Sequence, residues 1–164
     1  MIRLTITAAA LAALAALTAL PARAESFTLG DITVETPWAR PNLPNRPTAA
    51  YAVITNSGTE PDRLIRASSP SFGLIELHAT EMTEGVMRML KLDAIDTPAG
   101  GQAVLAPRGL HLMLFNAAEA FTPGMSFPVS LTFERAGTME IVVPVKRTAG
   151  GGHSHGDDHG HGSE

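Results

Sequence analysis

Nowhere between Ser26 and Arg147 does an apolar repeat of three to four residues persist, so no segment there offers the one-sided face of an amphipathic helix. Short apolar or alternating runs are instead cut by turn-forming stretches: "NSGTEPD", "SPSFG", "TEGV", "TPAGG", "APRG", "TPG" and "RAG". Val, Ile, Thr and Phe are common in the runs, which suits a pleated, half-buried surface. Strands are expected near 26–35, 48–56, 62–68, 73–80, 85–93, 102–106, 109–116, 126–135 and 138–147. Short strands at such spacing predict an all-β sandwich or Greek-key barrel. The segment "PWARPNLPNRPTAA" (37–50) holds four prolines and is expected to be an extended loop.

Both ends of the chain depart from this pattern. Met1-Ile2-Arg3 is a short positive start, residues 4 to 20 are almost wholly apolar, and Ala22-Arg23-Ala24 has the small-x-small form that signal peptidase cuts after. Residues 1–24 therefore read as an export signal, and the run is slightly short and Ala-rich for a membrane anchor. No second stretch is long enough to span a bilayer. Residues 25–147 form the expected domain. Residues 148–164, in "TAGGGHSHGDDHGHGSE", lack an apolar anchor and are expected to be a disordered, His-rich tail.

Cleavage would remove Arg3 and Arg23, taking the 12 Lys and Arg to 10 against 16 Asp and Glu. A chain of that balance is a poor ligand for nucleic acid, which needs clustered cations. Cysteine is absent although export would permit disulfides, so the fold must rest on its core and any metal site must do without thiolate.

Of the six histidines, only His78 and His111 precede the tail. In "GLHLMLF" (109–115), Leu110, Leu112 and Leu114 share one face of a strand, while His111, Met113 and Phe115 share the other. In "GLIELHA" (73–79), Ile75 and Leu77 face away from Glu76 and His78. The run "GVMRMLKL" (85–92) should pair with it as a hairpin, placing Met87 and Met89 on one face, with Arg88 leaving the core face ambiguous. Singly, a Met usually fills core and a His in a strand is usually just hydrogen-bonded. Together, His78, Met89, His111 and Met113 make a donor set of soft thioether and borderline imidazole, which suits Cu(I) and offers little to Mg²⁺ or Ca²⁺. Without carboxylate or thiolate it also disfavours Zn²⁺. Met82, Met87, Met125 and Met139 are expected to pack or lie at the surface.

The spacing of those four residues is similar to the H-x10-M-x21-H-x-M signature of the PCuAC family of periplasmic copper(I) chaperones. "PWAR" (37–40), "TAAYAVITNSG" (48–58), "DRLIRASSP" (62–70), "ELH" (76–78), "GVMRM" (85–89), "PRGLHLML" (107–114) and "LTF" (131–133) extend the resemblance over roughly residues 30 to 145. It implies a cupredoxin-like β-barrel, a periplasmic location and Cu(I) as cargo. It further implies delivery to a cuproprotein such as the CuA subunit of cytochrome c oxidase, or exchange with a Sco-type protein. Trp38, Arg40, Tyr51 and Asn56 match family positions and are expected to be structural, Trp38 and Tyr51 by packing and Asn56 as a turn former.

In the tail, His153, His155, His159 and His161 with Asp157 and Asp158 would suit Cu(II) better than Cu(I) and read as a second, looser site. The chain is not expected to be an enzyme. Blue-copper electron transfer needs a thiolate that is missing, and neither G-x-S-x-G nor H-E-x-x-H occurs. The rival reading is a periplasmic copper buffer or resistance protein with the same site and no delivery partner.

Overall fold

The structure, a computed structural model, describes residues 25–83 and 85–147; the expected export signal (1–24) and His-rich tail (148–164) lie outside them. Eleven strands form two sheets, and no helix occurs among the described residues. The strands are β1 (Ser26–Leu29), β2 (Ile32–Ala39), β3 (Thr48–Asn56), β4 (Asp62–Ser68), β5 (Phe72–Thr83), β6 (Val86–Leu92), β7 (Ile95–Thr97), β8 (Gln102–Leu105), β9 (Leu110–Ala117), β10 (Ser126–Phe133) and β11 (Gly137–Pro144). One sheet has the order β1-β2-β3-β8-β9-β5-β6, with β3 also pairing β9; the other is β11-β10-β4-β7. Pairing between these strands is antiparallel except at a single β8–β9 contact, Leu105 with Leu110, and an isolated parallel bridge joins Ala39 to Val145. The chain changes sheet between β3 and β4, β4 and β5, β6 and β7, β7 and β8, and β9 and β10, which is the Greek-key expectation realised.

Alternation along each strand builds the core. Ile32 and Val34 of β2, Ala50, Ala52 and Ile54 of β3, Ile75 and Leu77 of β5, and Leu112 and Leu114 of β9 all face inward from the larger sheet. They meet Leu64, Val129, Leu131, Phe133, Ile141 and Val143 of the smaller one. The leucine face of β9 is thus the core face, as its sequence implies. At one end Phe72, Phe121 and Phe127 close the interior, with ring centroids 4.9 to 5.3 Å apart.

Two sequence expectations are corrected. The run 26–35 is not one strand: Gly30, at a φ of +57°, turns β1 back on β2. The proline-rich segment is a loop only over 40–47, because Pro37, Trp38 and Ala39 continue β2 and 48–50 begin β3. A bulge between Glu35 and Trp38, with Thr36 at a φ of +48°, accommodates Pro37, which has no N–H to give a ladder. The extra residue inverts the alternation. Before it the even residues Ile32 and Val34 face the core; after it Ala39 does, and Trp38 moves to the outer face opposite Tyr51.

Asp62 secures the join between β4 and the β10–β11 turn. Its buried carboxylate accepts from the backbone N–H of Arg63 (2.7 Å), Arg135 (2.9 Å) and Ala136 (2.9 Å). Asp62→Ala would leave these donors unpaired, at about 1–3 kcal/mol for each one that stays dry. A loss of at least about 3 kcal/mol, read from a shift in the urea midpoint, is the expected result.

Candidate metal centre

All four residues singled out from the sequence stand on one face of the larger sheet, the face turned away from the core. The register places them there. His78 of β5 lies directly opposite His111 of β9, and Met113 lies opposite Glu76 on one side and Ala49 of β3 on the other. On β6, Met89 lies opposite Thr80 and Met87 opposite Met82. The site therefore spans three adjacent strands, β6-β5-β9, with β3 alongside. Met89 is offset one row from the histidines, but that row holds only Thr80 and Gly109 between strands spaced about 4.8 Å apart. Neither has the bulk to keep a flexible thioether from leaning across.

The outward face is not bare. His111 is only 4% exposed; the Tyr51 ring lies beside it at 6.5 Å, and Trp38 packs in turn on Tyr51 at 4.6 Å. The bulge in β2 brings Trp38 to the outer side, where it backs Tyr51. Arg40 stacks over Tyr51 at 5.7 Å. The loop at 40–47 is pinned by Asn42, whose N–H donates to the Phe121 carbonyl and whose Oδ1 accepts from the Phe121 N–H. What results is a cleft of about 570 Å³ whose lining includes Tyr51, Thr80, Met87, Met89, His111 and Met113. His78 sits beside it, across from His111, with the two imidazole centroids 5.7 Å apart. One ion with bonds of about 2 Å fits between rings at that separation.

Hydrogen bonds select which nitrogen of each ring is free. His111 Nδ1 lies 3.0 Å from the Gly109 carbonyl, which can only accept, so Nδ1 carries the proton and Nε2 keeps its lone pair. His78 is the mirror case. Its Nε2 donates to Glu76 (3.0 Å), leaving Nδ1 as the lone-pair atom. That Nδ1 is buried and has no protein partner; the other such side-chain atom among the described residues, Thr97 Oγ1, belongs to the opposite sheet. A buried acceptor without a donor is what a cation would satisfy. Glu76 also accepts from Lys91 Nζ at 2.5 Å. The Lys91 hydrogen bond first, and the His78 one second, hold its carboxyl below the usual carboxylate range. An ionised Glu76 keeps the His78 ring oriented.

The donor set fits a soft monovalent ion. Two neutral imidazoles and two thioethers bring no charge, and among the described residues no three His, Asp or Glu side chains converge on one position. Glu76 is the residue beside the site that sequence reasoning left unassigned, and Tyr51, expected to be structural through packing, also lines the cleft. The signal for Glu76 was present in "ELH", where it shares a face with His78; Tyr51 took its position from the pairing of β2 with β3. The ambiguity over Arg88 resolves because β6, at the sheet edge, has no core face until Leu92: every residue from Val86 to Lys91 is exposed. Asn56 forms its turn as expected, donating to the carbonyls of Glu60 and Thr97 and accepting from the Gly58 N–H. The tail histidines lie outside the described residues.

Comparison with known proteins gives a consistent set of relatives. A family model described as "Putative lipoprotein LpqE-like" matches residues 32–145. "Putative lipoprotein Lxx21020" of Leifsonia xyli subsp. xyli (strain CTCB07) is 28% identical over 149 residues, 89% of each chain. Among solved structures, the copper-bound PCuAC domain from PmoF2 superposes with a TM-score of 0.65 at 28% identity, over 76% of this chain and 99% of that one. The Cu(I) form of DR1885 from Deinococcus radiodurans does so with a TM-score of 0.51 at 26% identity, over 77% and 82%. The all-β, cupredoxin-like architecture is common to them.

Proposed function

The chain belongs to the LpqE-like, PCuAC-type family, and from that premise we propose that it is an exported Cu(I) carrier that holds the ion with His78, Met89, His111 and Met113 and passes it to a cuproprotein. The observation that carries the reading is the strand register, which puts two imidazoles with defined free nitrogens and two thioethers on one face. Copper-bound relatives of the same fold support the cargo, and a lipoprotein relative supports export, with the periplasm as the proposed compartment. Among the described residues no helix is long and apolar enough to cross a membrane.

The ligands differ in a way that suits a carrier. His111 is buried and Met89 is 63% exposed. An acceptor arriving at the cleft meets Met89 first, so exchange begins at the thioether and ends at His111, without releasing a free ion. The CuA subunit of cytochrome c oxidase or a Sco-type protein is the proposed acceptor class. Mixing Cu(I)-loaded protein with an apo CuA domain or apo Sco-type protein, and following copper by mass spectrometry, tests delivery. A protein that keeps its copper is a buffer.

Glu76 sets the orientation of a ligand without being one. Glu76→Ala should lower Cu(I) affinity about 10–100-fold in a competition with a Cu(I) chelator, as loss of an outer-shell partner does. Glu76→Gln, which still accepts from His78, should recover most of it.

Protons compete for the same lone pairs, so affinity rises with pH. It should fall as the pH is lowered from neutral to about 5, by up to about a hundredfold per pH unit where two protons are displaced. Because Glu76 is held below the usual carboxylate range, it stays ionised through that interval and the loss belongs to the imidazoles. A Cu(I) affinity flat from neutral to about pH 5 would exclude ligation by two histidines.

A further inference from the structure

The β5–β6 hairpin carries three methionines, and the proposed primary site uses one. Met82 and Met87 are directly opposed across the hairpin, and Met89 follows Met87 on the same face. Their exposures are 66%, 55% and 63%, values at which a methionine contributes little to any core. All three lie on the face that bears His78 and His111. The residues of β6 turned the other way, Val86, Arg88 and Leu90, include no sulfur. Met87 lines the cleft together with Met89, His111 and Met113, so the thioethers run without a break from the hairpin tip to the histidines.

Directly opposed side chains in an antiparallel pair have Cβ atoms about 4.5–5.5 Å apart, and methionine has the free torsions to bring two sulfurs onto one ion between them. Glu81 and Arg88 face each other on the opposite side, so among the described residues of the hairpin no carboxylate joins the thioethers. Neutral soft donors alone select a soft monovalent cation over Mg²⁺, Ca²⁺ or Zn²⁺.

We propose that Met82 and Met87, with Met89 shared, form a second site for a soft monovalent metal ion, from which the ion enters the His78–His111 site by exchange at Met89. The site lies beyond the four-residue set of the proposed function and shares one ligand with it. Its test needs no copper redox control, since Ag(I) is a soft monovalent probe. The full mature chain, with isotope-labelled methionine methyl groups, is titrated with Ag(I) and followed by NMR; the tail carries no methionine and stays silent. Met89 and Met113 should shift over the first equivalent and Met82 and Met87 over the second. Met139, buried, and Met125, packed against the core, are fixed references. In the Met82→Leu/Met87→Leu protein, whose exposed positions tolerate the exchange, the second-equivalent response at Met89 should be lost and the first retained.

Still signals from Met82 and Met87 through two equivalents, or a second-equivalent Met89 response that survives in the double variant, would overturn the site. Silence at Met82 and Met87 with movement at Met113 would sink this site and leave the primary one standing. The reverse pattern would sink the primary reading and leave this one.

Discussion

Cu(I) binding by the His111→Ala protein should be weakened by well over about a hundredfold, because loss of a ligand must exceed the 10–100-fold typical of losing a ligand's supporting partner. Each of the four proposed ligands contributes, but His111 should matter most. It lies deepest, its ring orientation is fixed by the Gly109 carbonyl, and Tyr51 shields it from the solvent that would otherwise fill the vacancy. Met89→Ala should cost less, since Met87 lines the same cleft and can supply a thioether in its place. Competition against a chelator, run beside circular dichroism to confirm the fold, measures both. Equal affinities in the wild-type and His111→Ala proteins would remove His111 from the site and with it the carrier reading.

Phe127→Ala should be the most damaging of the single core truncations. The ring is 2% exposed and meets Phe72 and Phe121 edge-on at 4.9 and 5.1 Å. Removing it opens a cavity between the two sheets at a cost of about 3–5 kcal/mol. For a domain of this size that corresponds to a fall in Tm of roughly 10–25 °C. The damage should reach the metal centre indirectly, because Phe121 packs on Phe127 and its backbone holds Asn42 of the loop beside the cleft. Copper affinity should therefore drop at temperatures where the protein is still folded, and calorimetry on loaded and apo protein reads both effects. A melting curve unchanged by the substitution would show that this aromatic cluster does not close the core.

The strands of the site were the most legible part of the chain. "GLHLMLF" and "GLIELHA" alternate cleanly, so their leucine and isoleucine faces and their His and Met faces could be separated before any pairing was known. β6 was less clear, since an edge strand with both faces exposed carries no hydrophobic alternation to read. β7 was missed: three residues, Ile95–Thr97, leave too little pattern. β2 was misread at Pro37 because a proline normally marks the end of a ladder, whereas here a bulge absorbs it.

By itself, the sequence determined what can be written as spacing and residue type: an all-β chain, a thiolate-free soft donor set, and which side chains share a strand face. Register could not be read this way, because it depends on which strands become neighbours, and residues 33 apart such as His78 and His111 meet only through pairing. The same holds for the parity switch in β2 that lays Trp38 against Tyr51, and for the Glu76 and Gly109 contacts that choose the free nitrogen of each histidine. Those are outcomes of long-range packing, in which a shift of one residue would turn every side chain to the opposite face.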